Sequence, residues 1–419
     1  MSYTIHATAL LPINLTKLER KKLFQRQPWK HWTNGLSSSE KVDMRRFFNR
    51  STVDIFRPLE DGRWCLDLSC SLLADLALNY SDEIIAELTG VQLVDFGNIH
   101  FLYLSVSTTP ASKSDIFPLQ RQLFSFFQKS HSAELPKWSQ GDNAQPLSKW
   151  IEQLIGRDIG HSEDNMEDWL GHELPYCLHV ETNTSEENQN LTVNLVAGAD
   201  PAKPSYKLAQ LEAAELKNSM LSVWDNWHCL QAYHRLIFVG DPSATALHEN
   251  LSRHHYYIDL FALAIYQRMQ YERFQESLTA ANPKTLKNLN LKIRVFRQRY
   301  NIAQVSGYPL AQRLYKYVCE RLELKALEEK VFNEIDYQHG QQQRANEENY
   351  NFMLFSISVL AAIILPLDSL STLMALPAAE RDFDFWLTVA ISGLGVLAIM
   401  LLPMLWRSYR RSRYDKKEI

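Results

Sequence analysis

Apolar and polar positions change their rhythm three times along this chain. Near its end, residues 352–376 and 385–406 form two almost continuous apolar runs. At about 1.5 Å per residue the first is long enough to cross a hydrocarbon core of about 30 Å, with Asp368 its one carboxylate. The second run carries no charge. A short acidic link, residues 377–384, places Glu380, Asp382 and Asp384 against Arg381. The tail, residues 407–419, carries Arg407, Arg410, Arg411, Arg413, Lys416 and Lys417. Basic flanks mark the cytoplasmic side, so the pattern predicts a two-helix transmembrane hairpin with both chain ends cytoplasmic. A buried hairpin of core helices is the alternative for such runs.

Upstream of the hairpin the rhythm is that of one long helix. From Pro309, a favoured first-turn residue, Leu310, Leu314, Val318, Leu322 or Leu324, Leu327, Val331 and Ile335 recur every three or four positions on a charged background. Residues 309–351 therefore read as a stalk helix, with Gly340 the place for a bend.

The first three hundred residues read as mixed α/β, divided into an α/β part, residues 1–205, and a helical part, residues 206–308. Residues 3–13 and 99–108 have the alternation of half-buried strands. Residues 63–70 read as a strand leading into a helix over 71–90 that Gly90 stops, and residues 117–130 read as a helix. Residues 176–183 and 191–198 read as two strands of a hairpin around the polar turn 185–190. After residue 206 the pattern is helical except for a short strand in residues 235–243.

Composition narrows the chemistry. A net charge of -4 gives no reason to expect a nucleic-acid partner. The five cysteines, Cys65, Cys70, Cys177, Cys229 and Cys319, include no CxxC pair, so neither a disulfide nor a structural metal is expected. The basic stretch Lys17, Arg20, Lys21, Lys22, Arg26, Lys30 is either an anion patch or a solvated helix face. The acidic cluster Glu163, Asp164, Glu167 and Asp168 is either a regulatory divalent-cation site or a solvated loop. Histidines gather at His228, His234, His248, His254 and His255, but fit no HExxH or Cys/His spacing and read as surface or core residues. No nucleotide loop and no catalytic constellation is visible, so the chain is not expected to be an enzyme.

The order of parts, with Ile364, Leu365, Pro366 and Leu367 near the end of the first apolar run, resembles the CorA family of magnesium channels. The family's Gly-Met-Asn signature falls here on Ala375, Leu376 and Pro377, so it is absent. The resemblance implies a CorA-like fold: an α/β cytoplasmic domain, a long stalk helix and a C-terminal transmembrane hairpin. It also implies a homo-oligomer, a pentamer, in a bacterial inner membrane, with Mg2+ as transported or regulatory ion and the lipid bilayer as surroundings. Asn351 matches the pore entrance and Asp368 a pore-lining threonine. At 100° per residue Asn351, Leu354, Ser358, Ala361, Leu365, Asp368 and Thr372 share one helix face, and Leu354, Ile357 and Leu365 would supply an apolar gate. The function expected is cation conduction gated by the cytoplasmic domain. The alternatives are a nucleotide-triggered membrane effector of antiviral defence, and a non-conducting membrane-anchored sensor.

Overall fold

The computed structural model describes residues 3–32, 37–56, 62–81, 83–126, 135–157, 173–182, 188–203, 207–374, 386–387 and 390–391. The chain divides into two units, Met1–Phe332 and Asn333–Ile419. Among the described residues, the first unit contains a sheet of twelve strands. In chain order the strands are β1 (Thr4–Ile13), β2 (Trp29–His31), β3 (Arg63–Leu66), β4 (Ala77–Asn79), β5 (Ile85–Asp95), β6 (His100–Thr108), β7 (Lys137–Gln140), β8 (Asn143–Pro146), β9 (Tyr176–Glu181), β10 (Leu221–Trp224), β11 (Trp227–Ala232) and β12 (Arg235–Gly240). They lie in the order β10-β11-β12-β9-β1-β6-β5-β4-β7-β8, with β3 branching from β5 and carrying β2. Strands β9 and β12 are parallel; the other pairings are antiparallel.

Alternation along β1 decides what covers each face. Ile5, Ala7, Ala9, Leu11 and Ile13 enter one large core. That core is filled from helices α1 (Lys17–Arg26), α4 (Lys113–Phe124), α5 (Leu147–Ile155), α6 (Asn188–Ala197) and α7 (Gln210–Asn218), through side chains such as Leu23, Leu119, Trp150, Leu195 and Leu216. Helices α2 (Ser38–Phe47) and α3 (Arg50–Phe56) precede β3. The opposite face, with His6, Thr8, Tyr103 and Phe238, meets the segment made of α8 (Thr245–His248), a π-helical turn (Glu249–Arg253) and α9 (Tyr256–Thr279). The first half of α9, Tyr256 to Tyr266, is apolar nearly all round apart from Asp259 and is wholly buried, as expected of a helix enclosed in a core, and its second half carries the polar residues. Behind it lie α10 (Pro283–Tyr300) and α11 (Pro309–Arg321).

One ion pair pins α9 to the sheet. Arg63 Nη1 on β3 donates to both Asp259 oxygens at 2.9 and 2.8 Å, and both side chains are fully buried. Tyr103 donates to the same carboxylate at 3.2 Å, and Arg63 Nε donates to Gln92 at 2.8 Å. The guanidinium also lies over the rings of Trp32 and Tyr103. Such a pair specifies the docking of α9 more than it adds net stability, because desolvating both charges offsets most of their attraction.

Several elements depart from the sequence reading for local reasons. Residues 71–90 form no helix: a β-bulge between Leu88 and Gly90 resets the alternation of β5, so buried Ala86, Leu88, Val91 and Leu93 imitate helical spacing. Residues 191–197 are helix, not strand; α6 is buried on more than one side, and a continuous apolar run does not distinguish the two. Gly198, at φ +65, ends it in the left-handed conformation that glycine adopts without a Cβ penalty. Strands β10 and β11 interrupt the stretch expected to be helical, joined by the two-residue turn Asp225-Asn226 between paired Trp224 and Trp227. The stalk is two helices: α11 ends at Arg321, Glu323 takes φ 54, and α12 runs Leu324–Met374 without interruption at Gly340.

The membrane expectation is corrected. Among the described residues no helix is long and apolar enough to cross a membrane. On α12 the apolar side chains described run from Phe352 to Ala361, about 15 Å at ~1.5 Å per residue, and the turns before them carry Arg344, Glu347 and Glu348. This overturns the CorA-like transmembrane hairpin, the multi-pass inner-membrane location with cytoplasmic termini, and the membrane ion-transport description built on them. Residues 375–385 and 392–419, which hold the link, most of the second apolar run and the basic tail, lie outside the described residues.

Two predictions follow from these packing arrangements. Asp259→Ala strands a buried guanidinium and is expected to cost about 3–5 kcal/mol in urea unfolding, whereas the double substitution Arg63→Met with Asp259→Leu recovers most of the loss; equal losses in both would contradict the account. The second concerns acid. Burial first, and then the Arg268 guanidinium, hold His234 down to about 4, and burial lowers His100 as well. Below the ordinary value of 6.5 the unfolded chain therefore binds protons that the folded chain refuses, so stability falls as pH drops from about 6.5 towards 4. Each such histidine contributes at most about 1.4 kcal/mol per pH unit. Urea midpoints between pH 7 and pH 5 should fall for the wild type and fall less for His234→Gln; a flat profile would contradict the assignment.

Candidate metal centre

The parallel pair β9 and β12 ends in register at Glu181 and Gly240. In open α/β sheets, the carboxyl ends of parallel strands are where ligands sit. Here three side chains converge. Glu181 is the last residue of β9, His6 lies near the start of the adjacent antiparallel β1, and His248 ends α8, which follows β12. One donor atom from each lies within 4.8 Å of the other two. Glu181 Oε1 is 3.0 Å from His248 Nδ1 and 4.0 Å from His6 Nε2. A tetrahedral zinc-class ion with ligands at about 2.0–2.2 Å needs donor separations of about 3.3–3.5 Å. The two separations from Glu181 bracket that spacing, and all three groups are half-buried.

The sheet holds these side chains in place from behind. Residues opposite one another across strands share a face, which puts Ser107, His6 and His179 in one row across β6, β1 and β9. Ser107 Oγ lies 3.1 Å from His6 Nδ1, a contact that orients the ring and leaves Nε2 facing Glu181. The His6 and His248 rings meet edge to face at 5.0 Å. Burial is the main cause of a lowered pKa at His6, opposed by Glu181 and reinforced by His248. His179 is brought to about 3 by burial and then by His6 and His248. Both rings are thus neutral at pH 7, the form that ligates metal.

A cavity of about 60 Å3 adjoins the cluster, lined among others by His6, Thr8, Cys177, His179, Ser252 and His255. It has room for a few water molecules. Its cover is built from unusual backbone: the π-helical turn Glu249–Arg253, then His255 at φ 59 immediately before α9. Single-turn π-helices and left-handed non-glycine residues cluster at functional sites, where surrounding structure maintains them.

The residues singled out from the sequence fall elsewhere, with two exceptions. Of the five histidines, His248 is in the cluster and His255 lines the cavity; His228 lies 2.8 Å from Ser222 Oγ on β10, His234 is in the β11–β12 turn and His254 stacks on Tyr256. The basic stretch is a mostly exposed face of α1 and the residues after it, and Arg20 and Lys30 pair with Asp95 and Asp67. Asn351, Leu354, Ile357, Ser358 and Ala361 are exposed on α12, and Leu365, Asp368 and Thr372 follow on the same helix. Glu163, Asp164, Glu167 and Asp168, like Ala375, Leu376 and Pro377, lie outside the described residues.

His6, His179 and Glu181 escaped the sequence reading because strand pairing, not spacing, joins them to His248. A signal did exist. His6 and Thr8 alternate with Ala7 and Ala9 in a strand with neighbours on both sides, and His179 and Glu181 do the same in β9. Polar residues at alternate positions of a central strand mark a wet or ligand-bearing patch on that face. No protein-family model and no curated protein matches the chain, so the resemblance to magnesium channels rests on the sequence pattern alone.

Proposed function

We propose that this protein is a sensor for a zinc-class divalent metal, with His6, Glu181 and His248 as ligands. The observation that carries the reading is the convergence of two imidazoles and a carboxylate from three separate elements, at coordination spacing. Two nitrogen donors favour zinc, nickel or copper over magnesium, a hard cation that takes oxygen ligands and keeps its waters.

The ion would join the segment between β12 and α9 to the sheet. Bound metal fixes His248, hence the π-helical turn and the His255 junction from which α9 departs. Helix α9 passes the constraint on through Gln267, whose Oε1 accepts from Tyr315 of α11 at 2.9 Å. Two histidines and a glutamate also form the ligand set of hydrolytic zinc sites. Sensing is the better reading here, because a cavity of about 60 Å3 falls far short of the roughly 300–1,000 Å3 of small-molecule sites.

Calorimetric titration of the metal-free full chain with Zn2+ should give one site per chain. His6→Ala, His248→Ala and Glu181→Gln should each weaken it at least about tenfold, and Mg2+ in excess should not compete. Zinc at a hundred times its Kd should raise unfolding stability by about 2.7 kcal/mol in the wild type and not in His248→Ala. Absence of saturable binding, or binding indifferent to all three substitutions, would contradict the reading.

A further inference from the structure

Resting on that metal-binding reading, we infer that His179 is a fourth ligand, which closes the coordination shell of the ion held by His6, Glu181 and His248. His179 is the cross-strand neighbour of His6 and precedes Glu181 by two residues, so all three project from one face. Its ring centroid lies 6.1 Å from that of His6 and 5.9 Å from that of His248. The residue is 3% exposed, and neither ring nitrogen has a hydrogen-bond partner among the described residues. Buried polar groups are nearly always paired, and an imidazole with both nitrogens unpaired has a use for a bound cation.

The cavity supplies the room. It lies against His6 and His179 together; the donors that already converge within 4.8 Å are those of His6, Glu181 and His248, so ligation requires the His179 ring to turn into this space. Cys177 lines the same cavity but stands one row further along, opposite Thr8. A neutral imidazole ligates directly, whereas a thiol must first lose its proton. Four protein ligands make a closed site, the pattern of structural and regulatory zinc; three would leave a position open for water and substrate.

Cobalt distinguishes these arrangements, because its visible bands report coordination number. The full chain loaded with one equivalent of Co2+ should give four-coordinate bands, and X-ray absorption at the metal edge should contain scattering from three imidazoles. His179→Leu, which keeps an apolar side chain in β9, should still bind Co2+ but at least about tenfold more weakly, with bands displaced towards a water-containing site and one imidazole fewer. His179→Gln, compared by circular dichroism, separates a loss of fold from a loss of ligand: a folded variant with displaced bands supports the assignment. Folded variants with unchanged affinity and bands would overturn His179 as a ligand while leaving the three-residue site intact. Failure of the wild type to bind Co2+ or Zn2+ would instead remove the site on which the inference rests.

Discussion

A strand covered on both faces has nowhere to put a polar side chain except against a partner. That constraint governs the second face of this sheet. The first face is satisfied by apolar side chains, as Ile5, Ala7, Ala9 and Leu11 show in β1. The second carries Arg63, Gln92, Tyr103, Thr8, His6 and His179 beneath α9 and the segment before it. Burying such groups unpaired costs about 1–3 kcal/mol each, more for a charge. Where α9 contains Asp259, Arg63 and Tyr103 find their partner. Further along the face, Thr8 and Ser105 meet at 3.2 Å, and beyond them the histidines and Glu181 gather with cavity space between them.

The two ends of this face solve one problem by different chemistry. The ion pair joins Arg63 Nη1 to both Asp259 oxygens within the protein and sets the register of α9. In the histidine cluster Glu181 meets His248 at 3.0 Å while both His179 nitrogens lack a partner among the described residues, so on the proposed reading a cation completes it and the arrangement of its cover becomes conditional on metal. The same distinction explains where unusual backbone falls. Around Asp259 the helix is regular; around His248 it is π-helical and then left-handed at His255. A bistable element needs a segment of that kind, whose geometry is held by contacts and not by local preference.

Much of the fold could be read from the chain where the residue pattern keeps a regular period, and little where it does not. The alternation of β1 and β6 and the long helical rhythm after Pro309 emerge directly from the sequence. β5 misleads because its bulge shifts period two by one residue, and α6 misleads because burial on several sides erases the helical stripe. At the site, only His248 belonged to a conspicuous group of histidines. Its partners are about 70 and 240 residues away in the sequence, a separation that only strand pairing closes. The apolar character of residues 352–361 was legible, but among the described residues it does not extend to a membrane-spanning length.

The most direct test of the metal centre is the position of the ion itself. Crystals of the full chain grown with Zn2+ should be measured on both sides of the zinc absorption edge and an anomalous difference map calculated. The account predicts one strong peak within about 2.0–2.2 Å of a nitrogen of His6, a nitrogen of His248 and an oxygen of Glu181. A zinc peak held elsewhere with this cluster empty, or no ordered zinc at all, would contradict it.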